Sequence, residues 1–142
     1  MKTLRTFATA LLVTLSIGAF AATETRAENL AMDYTVKTFV DAISFGKVKN
    51  LGAVLDNDFK YTITRNNEIC NYGKREWLDF MKSCENVEQN CNTEYKIIEQ
   101  NQSQAIIKVS MKYEGFTKVN LVNMANTSAG WKITNISTSI TQ

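Results

Sequence analysis

Residues 92–139, NTEYKIIEQNQSQAIIKVSMKYEGFTKVNLVNMANTSAGWKITNISTS, alternate apolar and polar side chains in four runs separated by turn residues. In the first run Tyr95 and Ile97 stand against Lys96 and Ile98, and Asn101-Gln102-Ser103 then turns the chain. From Gln104 to Tyr113, Ala105, Ile107, Val109, Met111 and Tyr113 share one face, and Ile106, Lys108, Ser110 and Lys112 the other. Beyond Glu114-Gly115, Val119, Leu121 and Asn123 alternate with Lys118, Asn120 and Val122. Beyond Asn126–Gly130, Trp131, Ile133 and Asn135 alternate with Lys132, Thr134 and Ile136. A period of two marks strands with one buried face. Short turns between consecutive strands predict an antiparallel meander. Its apolar face needs a cover, and that cover must come from the sequence before residue 92.

Working outward, Glu28 to Phe45 carries Met32, Val36, Phe39, Val40 and Ile43 at steps of three and four, the stripe of an amphipathic helix. Asp33, Lys37 and Asp41 lie off the stripe at ion-pairing distance, and Gly46 ends the helix. Lys47 to Leu55 reads as a short second helix, and Asp56-Asn57-Asp58 as a turn. Phe59, Tyr61 and Ile63 alternate with Lys60, Thr62 and Thr64 in a strand. Asn66-Asn67 then signals a hairpin with a short return strand over Glu68–Tyr72. Lys74 to Ser83 is a third helix with Trp77, Leu78, Phe80 and Met81 as its heavy side.

The first residues have the form of an export signal. Lys2 and Arg5 precede an apolar run from Phe7 to Phe20, and Ala19-Phe20-Ala21 offers small residues for cleavage. The run is short for a bilayer span. The division expected is a signal peptide over 1–21, a flexible stretch over 22–28 and one domain over 29–142, secreted or periplasmic, with no membrane contact after cleavage. The chain has 16 Lys+Arg and 14 Asp+Glu, and loss of Lys2 and Arg5 with the leader leaves 14 of each sign. That balance gives nucleic-acid binding no electrostatic support. The sequence has no histidine, which excludes Ser-His-Asp triads, Cys-His dyads and His-based metal sites. No cofactor or metal is expected.

Three cysteines, Cys70, Cys84 and Cys91, accompany the export signal. Cys84 and Cys91 are closest in sequence, and a bridge there would contribute ~2.5 kcal/mol by chain entropy. Pairing of Cys70 with either, or three reduced thiols, are the alternatives.

This order of elements resembles the NTF2-like superfamily. The resemblance rests on Phe39-Val40-Asp41-Ala42-Ile43-Ser44-Phe45-Gly46-Lys47, Leu55-Asp56-Asn57-Asp58-Phe59-Lys60-Tyr61, Gly73-Lys74-Arg75-Glu76-Trp77-Leu78 and Gly130-Trp131-Lys132-Ile133-Thr134-Asn135-Ile136. Within the superfamily the chain looks closest to small exported bacterial proteins of the lumazine-binding group. The resemblance implies an α+β cone, a curved antiparallel sheet covered by N-terminal helices, with a ligand pocket between them. It also implies a homodimer through the open sheet face, where Ile98, Ile106, Val122 and Ile136 lie among Lys96, Lys108, Lys112, Lys118 and Lys132.

Ketosteroid-isomerase relatives in this superfamily place a catalytic tyrosine near Phe39 and a carboxylate base near Tyr61 or Thr62, so neither group is present. Asp41, Asp58 and Glu94 read as surface or turn carboxylates. The function expected is non-catalytic binding of a small hydrophobic or aromatic ligand. A lyase or isomerase of the SnoaL type and a purely structural dimerisation module are the alternatives. Strand parity points Phe59, Tyr61, Ile63, Trp77, Met81, Tyr95, Val109, Met111, Tyr113, Leu121, Asn123, Trp131 and Ile133 into the cone. Tyr61, Trp77, Tyr95, Met111, Tyr113, Asn123 and Trp131 are the ligand-binding candidates, the tyrosines for their aromatic faces with a polar tip and Asn123 for its amide.

Overall fold

The computed structural model describes residues 17–142. Most of the expected leader lies outside that range, and no described helix is long and apolar enough to cross a membrane. α1 spans Ile17–Phe45, so it starts before Glu28 and takes in the stretch expected to be flexible. Residues 21–29 contain Ala, Glu and Arg and neither Gly nor Pro, a composition that lets the helix extend. α2 is one turn, Leu51–Val54, shorter than expected. β1 (Leu55–Arg65) and β2 (Glu68–Gly73) form a hairpin, α3 covers Lys74–Ser83, and β3 (Asn92–Gln100), β4 (Gln104–Lys112), β5 (Thr117–Thr127) and β6 (Gly130–Thr141) complete the chain. Asn66 and Asn67 take φ of 52° and 64°, the left-handed pair that a two-residue hairpin turn requires.

One six-stranded sheet has the order β2-β1-β6-β5-β4-β3. The last four strands form the antiparallel meander that their alternation predicts, and β1 joins β6 in parallel, so the sheet is mixed. Asp56–Asp58 belongs to β1 rather than to a free turn. The register of β1 on β6 shifts between Leu55 and Lys60, and Asp56 Oδ1 accepts from the Asp58 amide at 2.9 Å inside that irregularity.

α1 packs on β6 and α3 on β1, so the inner face of the sheet is covered at that side. Met32, Val36 and Phe39 of α1 join Ile107, Val109, Val122, Ile133 and Ile136 in one core, all essentially without solvent contact. β3 is the far edge strand, which α1 reaches through the 2.9 Å bond from Ser44 Oγ to Thr93 Oγ1, and Tyr95 is 49% exposed although it pairs with buried Val109. On the outer face Lys112 and Glu94 form a 2.6 Å ion pair across β3 and β4, and the lysine holds the Glu94 carboxyl below its usual range.

On two strands the inward set differs from the expected one. On β5, Asn120, Val122 and Met124 are the buried set, paired with Val109, Ile107 and Ala105, so Val119, Leu121 and Asn123 face outward. On β6 the inward set is Trp131 and Ile133, then Ile136 and Thr138. The register slips between Asn123 and Met124 of β5, where Asn135 and Ile133 are their partners and Thr134 is the extra residue of a bulge. Thr134 Oγ1 closes the bulge by donating to the Asn123 carbonyl at 3.2 Å. One inserted residue moves every later side chain to the opposite face. The bulge makes Ile136 a core residue, while pairing with β4 does the same for Val122 and turns Lys118 inward, so none of the three belongs to the outer face.

Candidate functional site

A cavity of about 110 Å³ lies between the inner sheet face and the two long helices. α1 contributes Phe39, Ala42 and Ile43, and α3 contributes Trp77, Phe80, Met81 and, just past its end, Cys84. The sheet contributes Tyr61, Met111, Lys118 and Asn120, and the remaining wall is Tyr113 with Val87 and Gln89 of the α3–β3 connection. Phe80 is 62% exposed and Val87 49%, so these two side chains stand on the solvent side of the cavity. A larger depression of about 780 Å³ on the outside of α3 is lined mainly by exposed Lys, Arg, Glu and Asp side chains. Leu78 is the one apolar side chain that lines it, so the enclosed cavity, walled by aromatic and aliphatic side chains, is the candidate site.

Trp77 organises the aromatic side. It is buried, its ring centroid lies 5.1 Å from Phe59, 5.6 Å from Tyr61 and 6.4 Å from Phe39, and it lies within 25° of parallel to Tyr61. These separations suit offset aromatic packing. The periodicity of α3 alone puts Trp77 and Met81 on its buried side, one turn apart.

The polar side is ordered by hydrogen bonds. Thr138 Oγ1 donates to Asn120 Oδ1 at 2.8 Å, and the same hydroxyl acts on the Tyr61 phenol. Asn120 Nδ2 is buried and has no partner. Trp131 Nε1 is the other unpartnered buried side-chain atom among the described residues, and it does not line the cavity. Tyr113 donates to Gln89 Oε1 at 3.0 Å. Burial pushes the Tyr61 phenol up, against the pull of Thr138, and burial with the Cys91 thiol pushes Tyr113 up to about 12. Burial pulls Lys118 down, partly offset by the Cys84 and Cys91 thiols. No Asp or Glu lines the cavity among the described residues.

The rim is held by the end of α1. Gly46 takes φ of 65°, its amide donates to the Ala42 carbonyl at 3.0 Å, and Lys47 donates to Asp41 at 3.3 Å. The α3–β3 connection docks there: Asn86 donates to the Gly46 carbonyl at 3.0 Å and Gln89 to the Ser44 carbonyl at 2.8 Å. This places Val87 and Gln89 over the cavity.

Residues 27–137 match a family model described as Putative lumazine-binding. The chain belongs to that family. No curated protein matches it. Among solved structures, an NTF2-like protein of unknown function from Silicibacter pomeroyi is 14% identical, with a TM-score of 0.65 over 82% of this chain and 98% of that one. An NTF2-like protein of unknown function from Methylobacillus flagellatus is 13% identical, with a TM-score of 0.61 over 92% of this chain and 98% of that one. A cystatin-like fold protein from Burkholderia xenovorans is 13% identical, with a TM-score of 0.62 over 79% and 90%. At such identities the likeness is one of fold: this domain of the lumazine-binding family has the NTF2-like fold.

In this family member, four expected ligand contacts meet in one place: Tyr61, Trp77, Met111 and Tyr113 all line the cavity. Three do not. Tyr95 stands exposed on the edge strand. Asn123 faces outward, where its Nδ2 donates to Asn135 Oδ1 at 3.3 Å. Trp131 is buried core under α1, where its carbonyl accepts from Thr35 Oγ1 at 3.0 Å. The Cys84–Cys91 bridge is not formed and all three cysteines are free. Cys84 Sγ lies 3.8 Å from Ser83 Oγ, and Cys91 Sγ lies 3.5 Å from Thr93 Oγ1, so each thiol has its own local partner. Alternation alone does not find Lys118, Asn120 or Gln89. The clue is that Lys118 and Asn120 are polar at positions whose β4 partners, Met111 and Val109, are buried.

Proposed function

We propose that the protein holds a small hydrophobic or aromatic molecule in this cavity without transforming it, in a compartment outside the cytoplasm. The observation that carries the reading is an aromatic-walled cavity with one buried, unpartnered amide donor, Asn120 Nδ2. A buried donor left unsatisfied costs about 1–3 kcal/mol, so a ligand acceptor there gains that interaction. A flat ring, as in the lumazine of the family's name, suits a wall in which Tyr61 and Trp77 lie nearly parallel. The lining favours holding over turnover. It has no carboxylate to serve as a base, and the phenols of Tyr61 and Tyr113, pushed up, stay neutral hydrogen-bond donors at ordinary pH. The leader-like residues 1–21 support export. Ile106, Val119 and Leu121 of the outer face, the last 41% exposed, support pairing of two copies through that surface.

Tryptophan emission tests the binding reading. Of the two tryptophans, Trp77 lines the cavity and Trp131 does not. A flat aromatic ligand drawn from a small-molecule panel is expected to quench the wild type and Trp131→Phe, and to leave Trp77→Phe unchanged. Quenching that survives in Trp77→Phe would place binding elsewhere.

A further inference from the structure

We propose that Lys118 and Asn120 form a carboxylate-binding subsite on the sheet side of the cavity, so that the ligand is a small organic acid with a flat apolar body. This rests on the cavity being a ligand site and names the class of ligand it takes.

The geometry comes from the register of β5. Lys118 pairs with Met111 and Asn120 with Val109, both buried, so two polar side chains two residues apart point to the same inner face. Asn120 is 2% exposed. The bond from Thr138 Oγ1 occupies its Oδ1, which turns Nδ2 away from Thr138 as an unpaired donor. Lys118 sits beside Asn120 in the cavity wall and forms no ion pair with a carboxylate among the described residues. The titratable groups that act on it are the thiols of Cys84 and Cys91. A partly buried ammonium without a counterion is costly unless an anion joins it.

The donor count selects the anion. One cation and one amide N–H match the two oxygens and single charge of a carboxylate. A phosphate dianion would bring a second charge and further acceptors into a wall where Tyr113 and Gln89 already pair with each other and Phe39, Trp77, Met81 and Met111 are apolar. The volume, about 110 Å³, is roughly that of four waters. It admits a carboxyl group and the start of a flat body, which then runs out past Trp77 toward Phe80 and Val87 on the solvent side.

Benzoate and its neutral counterpart benzyl alcohol separate the charge from the body. Both are titrated by calorimetry into wild type, Lys118→Met and Lys118→Gln, and the side-chain amide resonances of Asn120 are followed by NMR in the wild type. The expected result is wild-type preference for benzoate by about tenfold to a hundredfold, the range of a charge-assisted hydrogen bond. Both variants should lose that preference while keeping the alcohol, and the Asn120 amide should shift with benzoate only. Equal binding of the two probes by the wild type, or unchanged preference in the variants, overturns the subsite and leaves the cavity as a neutral binding site. Failure of both probes to bind, with Trp77 emission unchanged by either, overturns the subsite and the binding reading together.

Discussion

Gly46→Ala is expected to lower the melting temperature by about 10 °C, through a loss of roughly 3 kcal/mol. Two costs combine. The first is conformational, because φ at this position is 65° and an L side chain in the left-handed region costs about 1–2 kcal/mol. The second is steric. A Cβ here would lie 2.5 Å from the Cys84 carbonyl oxygen and 2.6 Å from the amides of Asn86 and Val87, all of them backbone atoms that cannot rotate away. The connection must therefore lift off the end of α1. With it go the 3.0 Å bond from Asn86 to Gly46 and the 2.8 Å bond from Gln89 to Ser44, each contributing about 1 kcal/mol. Gly115→Ala is the control: a Cβ there meets nothing within 4 Å, and its effect should be near zero. Scanning calorimetry of both variants decides the matter, and similar melting temperatures would mean that the connection does not rest on α1.

Trp77→Ala should cost about 3–5 kcal/mol, the range for removing a buried aromatic side chain without full collapse of its site. The tryptophan touches ring systems from α1 and β1 at once, so its loss unties α3 from both. Trp77→Phe keeps a ring in place and should cost less than half as much. Denaturant midpoints at unchanged slope give the difference directly. A cost below about 1 kcal/mol for the alanine variant would show that α3 does not pack through this residue.

The fold was largely legible because its signals are periodic. α3 was read with its observed bounds, Lys74–Ser83, since Gly73 precedes it and Trp77 and Met81 recur at one-turn spacing. Asn66-Asn67 identified the hairpin by the only backbone that asparagine pairs adopt readily there. The site was half legible. Tyr61, Trp77, Met111 and Tyr113 lie on elements whose periodicity is intact, and all four reached the cavity. Asn123 was misplaced because β5 is apolar on the wrong face: Val119 and Leu121 point outward while Lys118 and Asn120 point inward. A strand that hides polar groups and shows apolar ones breaks the pattern that local rules rely on. The β6 misreading has a different origin. The bulge at Thr134 reverses parity, and no residue type in Ile133-Thr134-Asn135 announces it. Tyr95 failed for a third reason, that parity says which face a residue takes and nothing about how exposed that face is on an edge strand.

The most direct test of the ligand-holding account is native mass spectrometry of the protein purified from the cells that make it. The account predicts a reproducible extra mass on each protomer, lost on denaturation and absent or reduced in Trp77→Ala. The same spectrum reads the number of copies in the assembly and whether Cys84 and Cys91 keep their hydrogens. A clean mass of the bare chain, at every gentle condition that preserves the folded charge states, would contradict the account and leave the domain as an interaction module.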